Sequence, residues 1–274
     1  MNNLKIVGSL TTMSSRIDNL HKVIESLYIQ SHKLDNLYLF ISKEKYLLDE
    51  GIKEIPSNLK KYIDNGFLIV EFVENTGAYR KFLPIIKKFN KNDNIIITYF
   101  DDDWIFPPML VEKMYETYQN FPNCFISMNT HRMFYDNIGE LILKKGKTFK
   151  DKSFYDPNNP RLDLWNNNSN GVMFKATLIQ DNELFNYKKI KSICHIKDEI
   201  WLNAILKKNK IKIVGVDNKF QKKGERAPLG TKWGLKGRYK LIEGSQEKSL
   251  AKTLKFSRDD YNLRIEKLRH YYKL

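Results

Sequence analysis

The sequence predicts an α/β fold built on a doubly wound, mostly parallel central sheet with flanking helices. Three observations carry that expectation. Short β-type apolar runs alternate with segments of helical period through the first hundred residues. Residues 94–100, NIIITYF, are almost continuously apolar, as expected of a central parallel strand buried on both faces. Polar residues gather where these runs end, at residues 11–16, Ser42, 75–81 and 101–103. In open α/β sheets ligands bind beyond the carboxyl ends of the strands, where the strand order reverses.

Taken in order, residues 4–10 read as the first strand, ending in a polar turn able to cap a helix. Ile17, Leu20, Val23, Ile24 and Leu27 give helical spacing over 17–30. Residues 36–42 and 67–73 read as the second and third strands. Residues 79–89 read as a helix with Phe82, Leu83, Ile85 and Ile86 apolar, and 94–100 as the fourth strand. A new helix is expected to start near Pro107. In the less regular second half, 124–129, 139–143 and 211–216 read as strands, 171–174 as a short apolar segment and 198–207 as a helix. Residues 156–170, rich in Asn, Asp and Pro, read as loop. Residues 220–238 mix glycines with Lys222, Lys223, Arg226 and Lys232, which suggests a basic loop that orders over a diphosphate. Residues 257–274 form a basic, aromatic helix. It reads equally as lying on an anionic membrane and as docked on the main domain or a second subunit.

The 274 residues suffice for one large unit, and 42% hydrophobic content supplies its core. A net charge of +15 favours anionic partners or a lysine-rich solvated surface. Cys124 and Cys194 form no ligand or CxxC pattern and read as buried free thiols in a reducing compartment. No apolar stretch is long enough for a membrane span, and the first residues read as a strand rather than a signal peptide. His131 and His195 lack partners at a spacing that specifies zinc.

The sharpest local feature is Asp101-Asp102-Asp103, closing an apolar strand ahead of Pro107-Pro108. Three carboxylates at one strand end repel one another unless a cation neutralises them. Oxygen-only ligands suit Mg²⁺ or Mn²⁺, which complete their shells with substrate phosphates and water. Helix capping is the plainer reading, but one aspartate would serve it. Asp198 and Glu199 open the later helix, where acids are favoured by the helix dipole and could equally serve as a general base.

These segments together resemble the family-2-like bacterial glycosyltransferases of GT-A fold. LTTMSSR at 10–16 is similar to an LTT-x-PSR opening, NTGAYRKFLP at 75–84 to a Gly-x-x-x-Lys segment, and YFDDDWIFPP at 99–108 to a DDD-x-x-YPP strand end with its DxD signature. NGVMFKATL at 170–178 and KDEIWLNAIL at 197–206 are similar to a glycine-led segment and an acidic-pair helix. The motifs keep their order and span about residues 4–216. Met13-Ser14 replaces the usual apolar-Pro pair, and Asp198-Glu199 replaces a pair ending in Asp.

The resemblance implies a metal-dependent, inverting hexosyltransferase. It would move sugar from a nucleotide-sugar, UDP-linked by family habit, to a hydroxyl of a surface glycan: lipopolysaccharide, lipooligosaccharide or capsule. Asp101 and Asp103 would hold Mn²⁺ or Mg²⁺. Thr11, Arg16, Ser42, Asn75, Gly77, Lys81, Asp101 and Asp102 would border the nucleotide-sugar, and Asp198 or Glu199 would be the base. The plainer readings make Thr11 a turn residue, Arg16 a surface charge and Lys81 a solvated helix lysine. The implied organisation is one catalytic domain over 1–256, with a nucleotide-sugar half to about 105, an acceptor half from about 106, and a basic helix over 257–274. The implied place is the cytoplasm, with any lipid contact at the inner membrane face. Two other classes share part of this pattern. Nucleotidyl or phosphoryl transfer also uses clustered aspartates and Mg²⁺, but no P-loop is present. A basic nucleic-acid-binding protein would fit the charge, but no helix-turn-helix, zinc-finger or RNP pattern occurs, and nucleic acid is not an expected partner.

Overall fold

The computed structural model describes residues 4–132, 157–168, 170–217, 240–241 and 258–273. The expected strand at 139–143 and the basic loop at 220–238 lie outside these residues.

Apolar residues at every position of a strand can be buried only between two covered faces, and that is where the early strands sit. β1 (Lys5–Thr11), β2 (Asn36–Ile41), β3 (Leu68–Phe72) and β4 (Ile95–Tyr99) are mutually parallel. With β6 (Phe125–Ser127), β9 (Val172–Lys175) and β10 (Ile213–Gly215) they form one seven-stranded sheet in the order β10-β6-β9-β4-β1-β2-β3. β9 alone runs antiparallel, between β4 and β6. Two short ribbons flank the sheet: β5 (Trp104–Ile105) with β11 (Lys240–Leu241), and β7 (Thr130–Arg132) with β8 (Leu164–Asn166).

The alternation of side chains sorts the core into two layers. On one face Ile6, Leu10, Leu37, Leu39 and Ile96 pack against α1 (Leu20–Tyr28), α2 (Lys60–Asp64) and α4 (Leu110–Asn120). On the other, Val7, Phe40, Ile97, Tyr99 and Phe174 pack against α3 (Leu83–Phe89), α5 (Tyr187–Ile193) and α6 (Asp198–Lys208). In α6 every residue from Ile200 to Leu206 is buried, so the helix is covered all round. Part of that cover is α7 (Arg258–Tyr272), which inserts Ile265 and Leu268 into the second layer. Two apolar residues of the C-terminal helix are thus buried against the domain, as the docking reading expects. Among the described residues no helix is long and apolar enough to cross a membrane. Both cysteines are buried free thiols.

The expected helix at 79–89 begins later. Gly77–Lys81 is a 3-10 turn, and α3 follows from Leu83. The tight turn, entered through Gly77 at φ +65°, swings Arg80 and Lys81 inward rather than along a helix surface. The described part of the expected loop at 156–170 holds the strand β8. Chain connections run from β1 through β2 to β3 on one side, while β4 lies on the other side of β1. The switch point is thus between β1 and β4, whose register pairs Ser9 with Tyr99. Two residues further on, Thr11 and Asp101 stand at the mouth of the crevice.

Candidate functional site

The crevice is a cleft of about 370 Å³. Of the residues expected at the site, Thr11, Arg16, Gly77, Lys81, Asp101, Asp102, Asp103, Asp198 and Glu199 line it. Ser42 and Asn75 are buried behind its wall. The Ser42 hydroxyl accepts from the Glu44 N–H at 3.2 Å. The Asn75 amide donates to the Glu44 carbonyl at 2.7 Å and accepts from the Gly77 N–H at 3.1 Å. These two shape the loops that carry the lining residues. His195 is not on the wall.

The aspartates are partly neutralised by the chain itself. Arg16 Nη1 donates to Asp102 Oδ1 at 2.6 Å and lies 3.8 Å from Asp103, and Thr12 Oγ1 donates to Asp102 Oδ2 at 2.6 Å. Lys81 Nζ lies 2.7 Å from Asp101 Oδ1 and 2.9 Å from Asp198 Oδ2. Lys81 is therefore no solvated lysine: its side chain is 7% exposed and spans two carboxylates from opposite walls. Nor is Arg16 a surface charge, with 15% of its side chain exposed. Burial pulls the Lys81 ammonium down, but the charges of Asp101 and Asp198 outweigh it and hold the group well above its ordinary value.

Asp103 is left with the weakest counter-charge. Burial, then the charges of Asp101 and Asp102, push it up to about 7 despite Arg16. Asp101 is raised by burial as well, with Lys81 opposing. Among the described residues no three acidic, histidine or cysteine side chains are arranged to hold a metal by themselves. A cation that takes most of its ligands from phosphates and water needs only one or two protein carboxylates. The all-oxygen donor set of Asp103 and Asp101, with Asp103 the less neutralised of the two, fits Mn²⁺ or Mg²⁺ on those terms.

On the opposite wall the acidic pair divides. Asp198 accepts from Lys81 and from Asn168 Nδ2 at 2.8 Å. Glu199 has a looser cation, Lys197 Nζ, 3.6 Å away. Burial raises the Glu199 carboxyl, with Lys197 opposing and the Asp198 charge adding to the rise. Tyr79 ties this wall to the 3-10 turn, its hydroxyl donating to the Cys194 carbonyl at 2.7 Å just ahead of α6.

Four further residues were not among the expected site residues: Asp49, Asn168, and Thr12 and Arg80, the last two within the polar segments 11–16 and 75–81. Asp49 accepts from Arg80 Nη2 at 2.7 Å, the Ser14 N–H at 2.9 Å, the Gly51 N–H at 3.1 Å and Asn75 Nδ2 at 3.2 Å. Arg80 also donates to the Thr12 carbonyl at 3.0 Å, and its buried Nη1 has no hydrogen-bond partner among the described residues. Thr12 grips Asp102, and Asn168 grips Asp198. The adjacent cations Arg80-Lys81 and the run Asn166-Asn167-Asn168 were the available signals. Nothing local to Asp49 marks it, because its partners lie up to 35 residues away.

No protein-family model matches the chain, and no curated protein matches it. Among solved structures, residues 1–349 of S. aureus TarS match over 92% of this chain and 64% of theirs, at 12% identity and a TM-score of 0.50. The fold is of the GT-A class. The same TarS residues in complex with UDP match over 79% and 59%, at 12% identity and a TM-score of 0.49. The 4-diphosphocytidyl-2C-methyl-D-erythritol synthase of Anaerococcus prevotii matches over 78% and 88%, at 11% identity and a TM-score of 0.44. The chain thus spans about three fifths of the length of the TarS chains it matches.

Proposed function

We propose that this chain is a metal-dependent, inverting glycosyltransferase. It moves a sugar from a UDP-linked donor to a hydroxyl of a bacterial surface glycan, such as a lipopolysaccharide, lipooligosaccharide or capsule. The observation that carries the reading is Lys81, which joins Asp101 at the strand end to Asp198 on α6 across one cleft. A strand-end aspartate cluster and a helix-borne acidic pair, 95 residues apart at their nearest, Asp103 and Asp198, converge where a GT-A fold binds its ligand. Arg80, which also lines that cleft, adds a buried cation close to its wall.

Asp103 and Asp101 would hold Mn²⁺ or Mg²⁺, whose charge offsets that of the departing nucleoside diphosphate. The chain's residues supply the rest. Arg16 and Lys81 hold Asp102, Asp101 and Asp198 in place. Glu199 is the base: its proton affinity is raised and its carboxylate is held only loosely, whereas Asp198 is already engaged by two donors. As the acceptor oxygen bonds to the anomeric carbon, its proton passes to Glu199 and the bond from that carbon to the diphosphate oxygen breaks. The +15 charge suits work beside an anionic membrane face in the cytoplasm, where a lipid-linked acceptor would reside.

The test is a thermal-shift screen of UDP-, GDP- and CMP-sugars with and without Mn²⁺, followed by product analysis. At a hundredfold excess over Kd the donor should add ~2.7 kcal/mol of stability, in the presence of metal. Free UDP should then be released. Release of pyrophosphate would assign nucleotidyl transfer instead, and no shift with any nucleotide-sugar would overturn the reading.

A further inference from the structure

Behind the Asp198 wall lies a buried polar network that the transfer chemistry does not itself use. Asn203 of α6 clamps the Asn166 backbone, accepting from its N–H at 2.8 Å and donating to its carbonyl at 2.7 Å. This is the two-bond pattern a neighbouring strand would offer, so α6 serves β8 as a sheet partner. The Asn166 side chain in turn accepts from the Ser127 hydroxyl at 2.7 Å and from the Asn168 N–H at 3.1 Å. Asn168 stands at the crossing point. Its Oδ1 accepts from both the Tyr99 hydroxyl and Asn166 Nδ2, which fills its two lone pairs. Its Nδ2 is thereby turned toward Asp198 Oδ2, 2.8 Å away, the same oxygen that binds Lys81. Flipping the amide would set its NH₂ against that of Asn166, so the orientation is determined. The residue is 1% exposed and holds a left-handed backbone at φ +54°, a conformation asparagine tolerates better than most residues.

We propose that Asn168 is a positioning residue of the transfer site. It aims the Asp198 carboxylate, and through it Lys81 and Asp101, so that the donor-side aspartate and Glu199 keep their separation across the cleft. The proposal rests on the glycosyltransferase reading for its kinetic consequence but not for its structural one. Asp198 then acts as the counter-ion through which β8, α6 and the Asp101 strand end are kept in register, and Glu199 is the group left free to move a proton.

The experiment uses the full chain with Asn168→Gly, which permits the left-handed backbone while deleting the amide. Asp198→Asn and the double variant complete a cycle. By ¹⁵N NMR of lysine ammonium groups, wild type should show a slowly exchanging Lys81 signal that is lost in Asn168→Gly, whatever the protein catalyses. In turnover, Asn168→Gly should lower kcat at saturating donor about 10²-fold. The double variant should be no slower than Asp198→Asn alone, since both act through one carboxylate. Tyr99→Phe, which removes one of the two donors that orient the amide, should show a smaller loss with the same non-additivity, and it decides the matter should Asn168→Gly fail to fold. A retained Lys81 signal, kcat within threefold of wild type, or additive losses in either cycle would overturn the proposal. A wild type that releases no nucleoside diphosphate would overturn the functional reading instead, and the NMR result would still stand or fall by itself.

Discussion

Arg80 donates to Asp49 at 2.7 Å, with 2% and 5% of the two side chains exposed. The pair links the 3-10 turn after β3 to the loop after β2, and Arg80 also reaches the Thr12 carbonyl after β1. Three separate strand-end loops are thus tied by one ion pair. Removing one partner leaves a buried charge uncompensated, so Asp49→Ala should cost about 3–5 kcal/mol by urea denaturation. Arg80→Lys should fail to rescue stability, because a lysine cannot reach Thr12, Gly77 and Asp49 with a rigid fork of donors.

Asp103 gives a pH prediction whose sign is fixed by its raised proton affinity. Unfolded, the carboxyl titrates near its ordinary value of 3.8; folded, it holds its proton up to about 7. Between these values the folded state binds more protons, so its stability falls as pH rises from about 4 to 7 and stays low above that. In metal-free buffer at pH 8, Asp103→Asn should therefore be more stable than wild type, by at most ~4 kcal/mol, with little difference near pH 4. The same variant should lose transfer activity by at least about 10²-fold at saturating Mn²⁺. A variant that is both more stable and inactive would mark a carboxylate kept for chemistry at a cost in stability.

The acidic pair on α6 should separate in kinetics. Glu199→Gln is expected to lower kcat by about 10²–10⁴-fold with donor binding intact, and to remove the acid limb of the pH–rate profile. Asp198→Asn removes one of the two carboxylates facing the buried Lys81. It should lower thermal stability as well as turnover, with the acid limb retained. Loss of the acid limb in Asp198→Asn alone would reverse the two assignments.

The sheet was legible because its signals are local. Five early apolar segments gave β1 to β4 and α1 within two or three residues, and the strand ends gave the direction of the cleft. The site was legible as a set of motifs but not as a set of contacts. Arg16 and Lys81 look like surface cations until the 3-10 turn and the β1 loop carry them onto Asp102 and Asp101, across 86 and 20 residues. Asp49 draws its meaning wholly from partners that the sequence keeps distant. Asn166 and Asn168 look like loop composition, because a buried asparagine differs from an exposed one only in what surrounds it. Trp201 shows the same limit in the core, its indole donating to the Leu184 carbonyl at 3.1 Å from within a helix covered all round.

The C-terminal helix supplies the last prediction. Residues 257–274 carry enough lysine, arginine and tyrosine to suit a membrane surface, yet α7 packs on α5 and α6. Ile265 is 5% exposed and Leu268 1%, Tyr272 packs its ring near Trp201 and donates to Glu183 at 3.1 Å, and Arg264 donates to the Ile193 carbonyl. Leu268→Ala should therefore cost about 2–5 kcal/mol, as for any large side chain deleted from a packed core. Among the described residues of the docked helix, Leu263 and Tyr271, 50% and 53% exposed, are the large apolar ones left at the surface. Replacing both by serine should change stability by less than about 0.5 kcal/mol. If the helix also touches lipid, that double variant is the one that should weaken flotation with anionic vesicles, because Ile265 and Leu268 can reach a bilayer only by leaving the domain. Deleting 258–274 should expose the α6 surface around Trp201 and lower the melting temperature sharply. A truncated protein that melts with wild type and no longer floats would show instead that the helix is a membrane anchor and that its contact with α6 contributes little.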